Sequence, residues 1–290
     1  MDLCNQKNVR ELMDTFGIRF RKEFGQNFLT NSMVVSDIAD GCADDPDTTI
    51  LEIGPGIGTL SRELAARYKN VIALEIDRGL IPVLGFTMTG FPNFRVVNED
   101  VMKTDLGELL RPYFEAGPVA VCANLPYYIT TPILMKLLEC GLPFRSITVM
   151  IQAEVADRLC AEAGSSAYGS ITAVLAYYGT AAKLFRVSAG NFVPPPKVDS
   201  TVVRIDLYPE KPFVPRDEKV LFRTIRAAFE QRRKTLVNSL SAGFSEIPKD
   251  RLLAAVTDCG FPPDIRGERL DIEAFVRLSD RLLAETERNA

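Results

Sequence analysis

Three short stretches place chemically useful side chains where apolar runs end. Gly54-Pro-Gly56-Ile-Gly58 follows the apolar run TILEI (49–53) and precedes a helical pattern. Glycines there let the backbone turn sharply and approach a ligand closely. The spacing is G-x-G-x-G with Thr at 59, which departs from the G-x-G-x-x-G fingerprint of a bound pyrophosphate. Glu75 closes VIALE, the next strand pattern after the glycine turn, where an acid in a doubly wound fold accepts hydrogen bonds from ribose hydroxyls. Asp100 ends NFRVVNED, and its carboxylate suits the amino group of an adenine ring. Then VAVCAN runs into Asn124-Leu125-Pro126-Tyr127-Tyr128. The Asn124 amide oxygen and the Leu125 carbonyl can both accept from an exocyclic amine. Pro126 keeps that carbonyl out of a helix, and an aromatic ring offers a flipped base a surface to stack on. The bland alternatives are a tight turn, a surface acid and a strand end with buried tyrosines. The three together describe an adenosine-binding crevice beside an amine-holding turn.

Something must hold these ends side by side. Strand patterns at 49–53, 71–77, 93–100, 119–124 and 146–151 alternate with helical patterns at 59–68, 78–87, 103–111 and 130–139. That alternation predicts a parallel sheet covered on both faces. Two further strands are predicted at 181–188 and 201–207. The proline-rich YPEKPFVP then leads into helical patterns only, at 217–230, 232–241, 248–257 and 271–286. The expected division is an α/β domain over 1–207 and a small helical domain over 208–290.

Composition narrows the chemistry. The chain has 290 residues and no histidine, so imidazole acid–base work and histidine metal sites are excluded. Six cysteines include no C-x-x-C pair, and Cys122 and Cys140 read as reduced core residues. Net charge is −4, but residues 211–240 carry eight Lys/Arg against three acids, which leaves the remainder at −9. A solvated helix face would explain such a window. The run Arg232-Arg233-Lys234, with Arg223 and Arg226, would equally suit a phosphate-facing surface. No apolar run reaches the roughly 18 residues of a membrane span, and the N-terminus has no signal-peptide pattern, so a cytoplasmic protein is expected.

With these residues in place a resemblance becomes visible. NLPY (124–127) resembles the [DNS]PPY-type motif of S-adenosylmethionine-dependent amino methyltransferases. EIGPGIGTLS, ALEID and NLPYYIT together look like the ribosomal RNA adenine dimethyltransferases, as do GQNFL (25–29), NFVPPPKVDSTVVRI (191–205) and LFRTIRAAFEQRRKTLVNSL (221–240). The resemblance implies a Rossmann-like, seven-stranded methyltransferase sheet with a small all-helical C-terminal domain. It implies Asn27 and Leu29 in the cofactor pocket wall, Gly54 and Gly56 against the methionine portion, Glu75 on the ribose and Asp100 on the cofactor adenine. It implies Asn124 and the Leu125 carbonyl on the target amine, Tyr127 stacked on the target base and Phe192 closing its other face. No role is implied for Tyr128, and no metal is expected. The implied substrate is a pair of adjacent adenosines near the 3′ end of 16S ribosomal RNA, in the small subunit or its precursor, met by a monomer. Rival readings are a 23S ribosomal RNA adenine methyltransferase conferring antibiotic resistance, a nicotinamide-dependent dehydrogenase, and a non-catalytic assembly factor with the same fold.

Overall fold

A computed structural model describes residues 1–19 and 25–289. Seven strands form its main sheet: β1 (Thr49–Ile53), β2 (Asn70–Leu74), β3 (Phe94–Val97), β4 (Val119–Asn124), β5 (Ser146–Gln152), β6 (Gly179–Val187) and β7 (Ser200–Leu207). Their order is β3-β2-β1-β4-β5-β7-β6. The chain builds outward from β1 through β2 to β3, then jumps to the other side of β1 to lay down β4. All five residues of β1 are buried, as expected of a central strand covered on both faces.

The first five strands pair in parallel. The alternating strands are parallel as expected, and β7, one of the two further strands, runs antiparallel to β5 from Ser146↔Asp206 to Gln152↔Ser200. A parallel neighbour needs a crossover, usually helical. Residues 188–199, between β6 and β7, hold only the 3-10 turn Ala189–Asn191 and a two-residue strand. The sheet is therefore mixed. That two-residue strand, Phe192–Val193, pairs antiparallel with Phe28–Leu29. This ladder joins one motif near the start of the chain to another that follows β6.

The helices between the strands are α1 (Gln6–Thr15), α2 (Ser32–Asp40), α3 (Thr59–Arg67), α4 (Ile81–Thr87), α5 (Leu106–Ala116), α6 (Thr130–Glu139), α7 (Ala153–Leu159) and α8 (Ser170–Tyr178). Periodicity predicts α3 to α6 but not α1, α2, α7 or α8. The N-caps of α1 and α2 are Asn5 and Asn31, each accepting two backbone N–H bonds, a local signal for both helix starts. Cys122 is buried, while Cys140 is only half-buried. No helix among the described residues is long and apolar enough to cross a membrane.

The chain divides into two compact units, 1–156 with 182–209, and 157–181 with 210–290. The division read from sequence put 157–181 with the α/β domain. In the structure α8 packs with α9 (Glu218–Glu230): Tyr177 Oη lies 2.6 Å from Glu218 Oε1, and the Tyr178 and Phe222 rings stack 5.9 Å apart. The second unit also holds α10 (Leu236–Gly243), α11 (Lys249–Asp258) and α12 (Ile272–Asn289). Its central helix α9 turns Ala227 and Ala228 toward two glycines. A Cβ on Gly267 would sit 2.7 Å from the Ala228 carbonyl oxygen, and one on Gly243 would collide with the Ala227 side chain. Such close approach leaves no room for a methyl group. Gly267→Ala should therefore destabilise the second unit by about 1–3 kcal/mol through overpacking. Urea unfolding should show a lower midpoint, while the ligand affinity of the first unit stays unchanged.

Candidate active site

The loops after β1, β2, β3 and β4 converge at one end of the sheet. Because the strand order reverses between β1 and β4, a crevice opens there, the usual ligand position of such folds. It encloses about 1110 Å³ counting its open mouth. Its walls include Asn27, Leu29, Gly54, Gly56, Glu75, Asp100, Asn124, Leu125, Pro126 and Tyr127. The structure thus brings together every predicted cofactor residue and four of the five predicted catalytic ones.

The three glycines of the turn all have positive φ, 71° at Gly54, 60° at Gly56 and 90° at Gly58, a conformation that disfavours side chains. At Gly56 a Cβ would also press to 3.0 Å from the Phe28 ring. Glu75 holds this turn. Its Oε2 accepts the Gly56 N–H at 3.1 Å and its Oε1 the Asp77 N–H at 2.8 Å. β2 ends at Leu74 rather than at Asp77, because Glu75 and Asp77 turn their side chains back onto backbone N–H groups. Each carboxylate oxygen keeps lone-pair capacity for a second donor, as two ribose hydroxyls would supply. Glu75 is 5% exposed, and burial pushes its carboxyl up to about 7 against the pull of these N–H bonds.

Glu52 is the residue that sequence reading missed. It stands in β1 directly before the turn, 1% exposed, with Oε2 lacking a hydrogen-bond partner among the described residues. Burial, and then the charge of Glu75, raises its carboxyl to about 8. An unpaired buried acceptor at a crevice wall suits a donor or cation brought by a ligand. The signal was present: an acid inside an otherwise apolar central strand.

Asp100 lies just beyond β3, which ends at Val97 rather than at residue 100. Its Oδ1 accepts the Met102 N–H at 2.9 Å, which holds the carboxylate at the crevice rim. The segment 25–29 closes the other side. Gln26 Nε2 donates to Asp77 Oδ2 at 2.9 Å, and Asn27 Nδ2 donates to the Gly25 carbonyl at 2.9 Å.

The decisive contact is Asn124 Nδ2 donating to the Asn27 carbonyl at 3.1 Å. A carbonyl can only accept, so the amide nitrogen must face it and Oδ1 remains the acceptor for a ligand. Among the described residues no hydrogen bond ends on the Leu125 carbonyl, whereas the next carbonyl, Pro126, takes both Ile129 N–H and Thr130 Oγ1. Two acceptors on adjacent residues are therefore available to one amine. Tyr127 lies half-buried beside them, with Tyr128 61% exposed at the mouth.

Phe192 does not reach this crevice. It is 2% exposed, packed with Leu29 in the core, because the ladder to residues 28–29 turns it inward. The basic residues also separate. Arg223 donates to the Gly243 carbonyl, pairs with Glu246 at 2.7 Å and lies over the Phe244 ring. Arg232 donates to the Ser166 and Tyr168 carbonyls at 2.9 Å. All five are exposed, but Arg223 and Arg232 are tied by these bonds into the helical unit.

Residues 17–263 match the ribosomal RNA adenine dimethylase family. Ribosomal RNA small subunit methyltransferase A of Bacillus cytotoxicus is 43% identical over 285 residues, 97% of this chain and 98% of the relative. Its counterpart in Bacillus mycoides is equally similar, with the same coverage. Among solved structures, a dimethyladenosine transferase from Plasmodium falciparum superposes with TM-score 0.73 at 25% identity, covering 90% of this chain and 98% of the other. The 23S rRNA methyltransferase ErmE superposes with TM-score 0.69 at 27% identity, covering 88% and 99%.

The raised carboxyls set a pH response. A ligand hydroxyl that donates to Glu75 would be held best by the ionised carboxylate. S-adenosylmethionine affinity, followed by calorimetry, should fall about tenfold from pH 8 to pH 6 as Glu75 protonates around 7, and Glu75→Gln should flatten that profile. Stability runs the other way. A carboxyl raised in the fold adds stability below its ordinary range and loses it as pH rises through the raised value. The ligand-free protein should accordingly melt at lower temperature at pH 9 than at pH 6, through Glu75 and Glu52.

Proposed function

The chain belongs to the ribosomal RNA adenine dimethylase family, and from that premise we propose that it methylates the 6-amino groups of two adjacent adenosines near the 3′ end of 16S ribosomal RNA. S-adenosylmethionine is the methyl donor, and the products are dimethyladenosines. The small-subunit choice is supported by relatives 43% identical over nearly their whole length, against 27% for the 23S enzyme. We place the reaction in small-subunit biogenesis, in the cytoplasm, carried out by a monomer.

The observation that carries this reading is the fixed orientation of the Asn124 amide. The methyl on the sulfonium is already activated, so the enzyme's task lies with the nucleophile. An adenine amino lone pair is delocalised into the ring. Asn124 Oδ1 and the Leu125 carbonyl, accepting its two N–H bonds, favour a pyramidal nitrogen with its lone pair aimed away from them. They also stabilise the positive charge that grows on nitrogen as the N–C bond forms and the S–C bond breaks. The product nitrogen is acidic and loses its proton to solvent, so no general base need act first. A chain without histidine can therefore run this reaction. Tyr127 supplies the face on which the unstacked adenine rests.

Gly54, Gly56, Glu75, Asp100, Asn27 and Leu29 would hold the cofactor, with Glu52 added as acceptor for its cationic end. The exposed Arg226, Arg233 and Lys234 would meet phosphates and supply salt-dependent affinity. In this reading Arg223 and Arg232 support the helical unit instead.

Small subunits from cells lacking the dimethylation, incubated with methyl-labelled S-adenosylmethionine, should take label into 16S ribosomal RNA as dimethyladenosine. Label in 23S ribosomal RNA instead would move the assignment to the resistance enzymes. Asn124→Ala should lower transfer by at least about a hundredfold. Replacing Arg226, Arg233 and Lys234 together by alanine should weaken RNA binding and reduce its salt slope by about 2, read from filter binding at several salt concentrations.

A further inference from the structure

We propose that Ser200 is a positioning residue for methyl transfer, because its hydroxyl holds the Tyr127 phenol and so fixes the ring face offered to the target base. This inference rests on the adenine-methylation reading. It gives a role to the serine of PPPKVDSTVVRI, a motif that neither the cofactor nor the amine uses.

Tyr127 occupies the turn between β4 and α6, outside any strand or helix. The turn's backbone is held at both ends, by Leu125 N–H on the Met150 carbonyl at 3.2 Å and by Ile129 N–H on the Pro126 carbonyl at 3.2 Å. Neither bond restrains the Tyr127 side chain, whose two torsions could swing the ring. The restraint is a 2.6 Å hydrogen bond between Tyr127 Oη and Ser200 Oγ, in which either hydroxyl can donate.

Ser200 is a rigid post. It is 0% exposed and opens β7 in register with Gln152. The preceding residue is fastened three ways. The Asp199 carbonyl accepts the Ala153 N–H at 3.0 Å, Asp199 Oδ1 accepts the Ala189 N–H at 3.1 Å, and Arg186 pairs with Oδ2 at 3.1 Å. A loop aromatic is thereby tied to the first rung of the sheet. Stacking is sensitive to ring angle, and transfer requires near in-line alignment of nitrogen, methyl and sulfur. A ring locked by a buried hydroxyl holds that alignment through both methylations. With Phe192 turned into the core, Tyr127 is the half-buried aromatic face beside the acceptors, and its restraint matters accordingly.

The test is a mutant cycle of Ser200→Ala, Tyr127→Phe and the double variant, assayed on undermethylated small subunits. Each single variant should keep wild-type S-adenosylmethionine affinity, lose about three- to tenfold in kcat and release a larger share of monomethyladenosine. The double variant should be no worse than either single one, since both remove the same bond. A merely structural role would lower the active fraction and leave the ratio of mono- to dimethyladenosine unchanged. Wild-type kinetics in Ser200→Ala, or losses that multiply in the double variant, would overturn the role of Ser200 alone. A wild-type protein that methylates neither subunit would remove the underlying reading, and this inference with it.

Discussion

The parallel pairing of β1 with β4, Ile53 opposite Ala123, is the constraint on which the site depends. It sets the glycine turn and the NLPY turn at the same edge of the sheet, although β2, β3, β4 and the helices α3 to α5 separate them along the chain. Parallel neighbours share the direction in which their strands end, so whatever follows each strand emerges on one side. The reversal of strand order between β1 and β4 then leaves a crevice there. The glycine turn and the NLPY turn become neighbours through topology, before any side chain is specified.

Within that crevice the structure presents acceptors held in place by backbone contacts. Glu75 uses both oxygens to hold the Gly56 and Asp77 N–H groups while keeping room for a ligand. Asn27 supplies only a carbonyl to Asn124, yet that carbonyl decides which amide atom a substrate meets. Burial raises the carboxyls of both Glu52 and Glu75, and the charge of Glu75 adds to the rise at Glu52. Buried carboxyls with raised values cost local stability as they ionise, a pattern common at functional sites.

The helical unit shows how charge in a sequence overstates charge on a surface. Arg223 and Arg232 belong to the same basic window as Arg226, Arg233 and Lys234, but their guanidinium groups close contacts within the fold. Arg223 even lies over an aromatic face, the Phe244 ring. Arginine suits such work because its planar fork satisfies several carbonyls at once. Contacts within the unit, not composition, separate the arginines that brace the helices from the described basic residues that carry no such bonds.

Much was legible in the sequence because the signals are local. A buried strand, a left-handed glycine turn and a helix start follow one another directly along the chain, so β1, the turn and α3 follow from periodicity and backbone sterics. The acids just beyond β2 and β3 and the Asn-Leu-Pro-Tyr turn likewise declare themselves by place. What sequence could not decide depends on contacts between distant segments. The inward turn of Phe192 comes from its pairing with Leu29, near the other end of the α/β unit's chain. The direction of β7, the attachment of α8 to α9, the orientation of the Asn124 amide and the bond from Tyr127 to Ser200 arise in the same way. Residue type and spacing determine what a segment can form and donate. Only packing of the whole chain determines which partner it meets, because that choice is made by burial and hydrogen-bond satisfaction across the fold rather than along it.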